Sequence, residues 1–151
     1  MTNRNKIKNF GFVSRMDNLQ ASILNFRLKN LNNVIKKRRF NVELYKKYLN
    51  RKILFFPDEK KQEFNTYHTF VLQVPKRDQL KKFLKKRKIE TNIHYPTPIH
   101  LQPAAKKLGY KKGNFPIAES QAKKIITLPI NQFLKEKEIV YISNSINGFY
   151  K

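Results

Sequence analysis

The sequence predicts an α/β sandwich in which a small sheet is packed by helices and entered through one long helix. Three observations support this. Between Asp17 and Asn50 there is neither glycine nor proline, and apolar residues recur mostly at steps of three, four or seven. Short β-branched and aromatic runs further on are stopped by prolines. The stretches between those runs have helical spacing, so helix and strand alternate.

Residues 1–10 are polar and basic and read as a disordered leader rather than a signal peptide, because no apolar run follows them. Residues 11–50 read as a long linking helix. Its apolar series is Met16, Leu19, Ile23, Leu28, Leu31, Ile35, Val42, Tyr45 and Leu49, with Ser14 or Asp17 as its N-cap. Such a helix suits a bridge between two domains or two subunits. Residues 51–151 read as a small C-terminal α/β domain. Within it, 53–57 is an edge strand ended by Pro57, and 66–74 is the best strand, stopped by Pro75. Residues 76–88 form an amphipathic helix with Leu80, Phe83 and Leu84 inward, and 90–95 a second strand. Pro96, Pro98 and Pro103 keep the next segment irregular, and 102–108 forms one or two helical turns. Pro116 opens a helix to about Ile125, with Ala118 and Ala122 on its packed face. A short strand over 126–129 and a final helix over 134–146 complete the chain.

The net charge is +23 at pH 7. Taken alone, this suggests a polyanion partner. The densest runs, 36–39 and 81–88, fall on predicted helices whose apolar residues face the core, which suits solvated faces better than a specific nucleic-acid surface. The abundance of Lys, Asn, Ile and Phe over Gly and Ala also fits compositional drift. There is no cysteine, hence no disulfide, and no window apolar enough for a membrane span. A cytoplasmic location is expected.

The most suggestive chemistry lies in residues 94–102. His94, Tyr95, His100 and Gln102 sit in a proline-stiffened loop just after a strand, where polar groups are held without regular hydrogen bonding. Substrate contact, a structural role and a metal site all remain open, although zinc finds no third ligand at a familiar spacing. His68, beside Tyr67 in the best strand, reads as a hydrogen-bonded packing residue. There is no Ser/His/Asp set, no close pair of acids placed for acid–base work, no P-loop and no GxGxxG, so no catalytic residue is assigned.

Two stretches carry a resemblance. Gly11, Ser14, Arg15, Met16, Asp17, Leu19, Gln20, Ala21, Ile23 and Leu24 match the segment that follows the cofactor lysine in DegT/DnrJ/StrS-type aminotransferases. Tyr67-His68, the loop from Ile93 to Pro103, the segment from Leu108 to Glu119, and Leu128-Pro129 match later motifs in order. The chain therefore resembles the C-terminal part of such an enzyme over roughly residues 10–147. The resemblance implies the small domain of the type I PLP aminotransferase fold, a dimer with shared active sites, and transfer of an amino group, usually from glutamate, to a nucleotide-linked keto-sugar. The cofactor implied is pyridoxal 5'-phosphate (PLP).

By the family pattern, His94 and Tyr95 lie near the sugar nucleotide and His100 shapes the same loop. Ser14 and Arg15 flank the cofactor phosphate; a salt bridge at the helix entry would explain Arg15 equally well. The family's Schiff-base lysine precedes the Gly11 motif, and nothing before Gly11 looks like its segment. Val13 stands where the family has a phosphate-binding asparagine. The expectation is a homodimer, or a second chain supplying the large PLP domain, with the 151 residues inactive alone. The other expectation is a basic remnant that binds polyanions or serves as a regulatory partner of an intact aminotransferase.

Overall fold

The computed structural model describes residues 6–9, 11 and 15–151. Two helices, α1 (Asn18–Leu28) and α2 (Leu31–Tyr48), lead into strand β1 (Phe70–Gln73) and helix α3 (Arg77–Lys86). Two 3₁₀ segments, Ile99–Leu101 and Pro103–Leu108, carry the proline-rich loop. Helix α4 (Pro116–Lys124), strand β2 (Ile125–Leu128) and helix α5 (Glu136–Phe149) follow. Asp17 stands at the N-cap of α1 in extended backbone.

The expected single long helix is two helices. The chain turns at Lys29–Asn30, where the Asn30 amide bonds to the Arg27 carbonyl at 3.1 Å. Asn33 Nδ2 then donates to Asn30 Oδ1 at 2.8 Å. Asparagine side chains compete with the helical backbone for hydrogen bonds, and three of them (Asn30, Asn32, Asn33) cluster at the break. The apolar series divides at the same place. Val42, Tyr45 and Leu49 are buried, whereas no residue of α1 is.

β1 and β2 pair antiparallel, with Phe70 opposite Leu128 and Leu72 opposite Ile126. These four are buried on one face, against α2, α3 and α5, with Leu80, Leu84, Ile139 and Ile146. The strands expected over 53–57 and 90–95 each shrink to a single bridge, Phe55 to Gln73 and Asn92 to Thr127. Pro57 ends the first and the turn into the proline-rich loop ends the second, so neither edge propagates. The 66–74 strand is shorter too, because Tyr67 has a positive φ of 48° and pairing starts at Phe70. His68 therefore lies outside the strand. It is exposed beside Arg38 and is not a packing residue.

Side chains tie the layers. Tyr45 hydroxyl donates to the Pro129 carbonyl at 2.9 Å, and its ring stacks on Phe70 at 5.3 Å. Arg39 forms a two-pronged pair with Glu59, both bonds 2.7 Å, and so fixes the 59–65 loop on α2. Arg77 reaches the Ile125 carbonyl at 3.0 Å, just past the end of α4. The part of the expected leader that is described is not free. The Ile7 amide donates to Gln102 Oε1 at 3.1 Å, and its carbonyl accepts from the Ala104 amide at 3.0 Å. No helix among the described residues is long and apolar enough to cross a membrane.

Candidate functional site

Strand alternation sends Ile126 and Leu128 into the core and turns Ile125 and Thr127 to the opposite face of the sheet. The proline-rich loop packs against that opposite face. Asn92 bridges to Thr127 through both backbone bonds, and two residues later His94 Nδ1 lies 2.9 Å from Thr127 Oγ1. Tyr95 projects beside it, 67% exposed, with its ring edge-on to the imidazole at 5.5 Å. Gln102 is buried, and its carboxamide holds the Ile7 amide.

The loop walls a pocket of about 630 Å³, lined largely by Tyr95, Pro98, Ile99, Leu108, Tyr110 and Phe115, with His94 and His100 at its border. Ala118, expected in the packed face of α4, is exposed and lines this pocket; Ala122 is buried as expected. Helix α4 therefore turns one small residue to the core and the other to the hollow.

His100 is turned inward. Its Nε2 meets Glu119 Oε1 at 3.0 Å, and its ring packs on Phe115 at 4.7 Å. Glu119 Oε1 also accepts the Gly113 amide at 2.7 Å. That amide, followed by His100, holds the Glu119 carboxyl below its ordinary range. His100 thus clips the loop to α4. Gly113 itself has a positive φ of 96°, which glycine adopts without strain.

The cofactor-side residues are not brought to this pocket. Arg15 is almost fully exposed, pairs with Asp17 at 3.2 Å, and is absent from the pocket lining. That geometry is the salt bridge at the helix entry. Ser14 and Val13 lie outside the described residues. The pocket contains neither a lysine nor a carboxylate. A PLP seat needs a lysine for the Schiff base and an acid for the ring nitrogen, so this pocket does not fit the cofactor. No group of three His, Asp or Glu that could hold a metal stands among the described residues.

Sequence reasoning missed Thr127 and Glu119 as site-building residues. The signal for Thr127 was one hydroxyl in an otherwise apolar run, Ile125-Ile126-Thr127-Leu128, at the phase that faces away from the core.

A family model, the DegT/DnrJ/EryC1/StrS aminotransferase family, matches residues 1–147. The chain belongs to that family. It is a family of PLP-dependent enzymes in general. The chain is 36% identical over 144 residues to the "Pleiotropic regulatory protein" of Geobacillus stearothermophilus, covering 93% of this chain and 39% of that one. It is 29% identical to a dTDP-3-amino-3,6-dideoxy-alpha-D-galactopyranose transaminase of Aneurinibacillus thermoaerophilus, covering 92% and 38%. The crystal structure of S. venezuelae DesV in complex with a ketimine intermediate superposes with a TM-score of 0.85 at 27% identity, over 100% of this chain and 41% of that one. The fold is thus part of the PLP aminotransferase fold, and the chain spans about two fifths of the length of these relatives.

Proposed function

We propose that this chain supplies the C-terminal portion of a cytoplasmic PLP-dependent aminotransferase that acts on a nucleotide-linked keto-sugar, in amino-sugar and surface-polysaccharide synthesis. The observation that carries the reading is the family match over residues 1–147, joined to a fold that superposes along its whole length on two fifths of a solved relative. His94 and Tyr95 face the sugar nucleotide from the loop pocket. His100 shapes that pocket through Glu119. Arg15, and Ser14 beside it, serve the phosphate side once the cofactor-bearing portion is in place, with Arg15 leaving Asp17 to do so.

Helix α1 supports the need for that other portion. Leu19, Ile23 and Phe26 follow one stripe of the helix, and Leu24 and Leu28 follow another. All five are exposed, from 50% to 75%. A helix of 11 residues is marginal in water on its own. Two uncovered stripes fit a helix held between two bodies, and each such side chain contributes about 1.5–3 kcal/mol when covered. The covering body is the portion that carries the cofactor lysine, either preceding this segment or in a second chain, within a dimer that shares its active sites.

The 151 residues alone are inactive in this reading. Purified chain with PLP, glutamate and a keto-sugar nucleotide yields no amino-sugar. Turnover by the isolated chain overturns the proposal.

A further inference from the structure

Thr127 has no part in the core, yet it is only 6% exposed. Its backbone amide and carbonyl both go to Asn92, at 2.7 and 3.1 Å. The ladder therefore makes no demand on its hydroxyl. Among the described residues, the hydroxyl's one hydrogen-bond partner is His94 Nδ1, at 2.9 Å.

A hydroxyl carries one hydrogen to donate, and a buried one needs an acceptor for it. Among the described residues, the acceptor paired with it is the unprotonated form of Nδ1. If Nδ1 carried the proton, the Thr127 oxygen would accept it and the hydroxyl hydrogen would be left without a partner. That loss costs more than a weakened bond, because an unsatisfied buried donor forfeits its hydration. Satisfying both groups thus selects one imidazole tautomer, with its proton on Nε2. His94 is exposed, and Nε2 has no partner among the described residues.

We infer that Thr127 is a positioning residue that fixes His94 as the Nε2–H tautomer and presents it to the loop pocket as a hydrogen-bond donor. A group met by that donor must be an acceptor, such as a hydroxyl, carbonyl or phosphate oxygen. His94 then binds and orients an oxygen; it does not act as a base from Nε2. The role toward a sugar nucleotide rests on the reading given under Proposed function. The tautomer itself does not.

The test is long-range proton–nitrogen NMR of the three imidazoles in 15N-labelled chain, at alkaline pH. His94→Gln assigns the signals. The expected result is a single His94 tautomer, with Nδ1 unprotonated and hydrogen-bonded. Thr127→Ser keeps that signature. Thr127→Val, which preserves strand shape, moves the Nδ1 resonance away from its hydrogen-bonded position and raises the share of the Nδ1–H form, while the backbone spectrum stays folded. A wild-type His94 protonated on Nδ1 overturns the inference, as does an imidazole spectrum unchanged in Thr127→Val. If that variant fails to fold, the wild-type and Thr127→Ser spectra still decide. Failure of the amino-transfer reading leaves these spectra untouched, so the two proposals fail separately.

Discussion

Tyr45 is the point at which α2 holds the end of β2. Its side chain is fully buried, its ring stacks on Phe70, and its hydroxyl donates to the Pro129 carbonyl one residue past the strand. Tyr45→Phe keeps the ring and removes only the hydroxyl, leaving that carbonyl without this donor, at a cost of about 1–3 kcal/mol. Tyr45→Ala also removes the ring and leaves a cavity against Phe70, at a cost of about 3–5 kcal/mol. With a urea slope of roughly 2 kcal/mol per molar, the midpoints fall by roughly 0.5–1.5 M and 1.5–2.5 M. The assay is equilibrium urea unfolding followed by circular dichroism.

Burial also pushes the Tyr45 phenol above its ordinary value of 10.0. Its folded pKa exceeds its unfolded one, so its contribution is intact below pH 10.0 and is lost as pH rises beyond that. Tyr150, pushed up to about 12 by burial, adds to the same alkaline loss. The difference between wild type and Tyr45→Phe isolates Tyr45, and the variant should show the shallower alkaline decline. A neutral Tyr45→Phe, or one as damaging as Tyr45→Ala, would refute this account of the contact.

Glu59, drawn down to about 2 by Arg39 and then by the Asn65 amide, contributes stability that is present above its unfolded value of 4.5. That share is lost as pH falls from 4.5 toward about 2, so Glu59→Gln should flatten the acid limb of a stability–pH curve. Glu119→Gln weakens the grip on His100 and Gly113, and hydrogen exchange at the Gly113 amide should quicken with little change in the core. The isolated chain should self-associate through α1. Leu19→Glu with Phe26→Glu should return a monomer in sedimentation while changing unfolding stability by no more than about 0.5 kcal/mol per site, since neither side chain is buried.

Much of the core was legible because burial here follows simple periodicities. Leu80 and Leu84 on α3, and Val42, Tyr45 and Leu49 on and just after α2, lie inward at helical spacing. Prolines marked the start of α4 and the irregular loop. The α1–α2 break was hidden because an apolar series spanned it in phase, and its signal lay instead in the cluster of asparagines. The sheet edges were over-read because β-branched residues at 53 and 93 report propensity, while a strand also needs a neighbour to pair with. The prolines placed His94 and Tyr95 in an irregular loop, but the pocket that the loop walls was not legible, because it needs residues from 105 to 125. The inward turn of His100 could not, since it depends on Glu119, 19 residues away. Motifs in order pointed to the family, which periodicity and charge could not name.

The most direct measurement is recovery of this chain under native conditions from its own cell, with borohydride reduction, peptide mass analysis and an amino-transfer assay on the same sample. The predicted result is a pyridoxyl-lysine peptide from a polypeptide joined to or bound with this chain, together with amino-sugar formation that the purified 151 residues do not show. The contradicting result is a chain recovered with no such lysine, or one that transfers the amino group unaided.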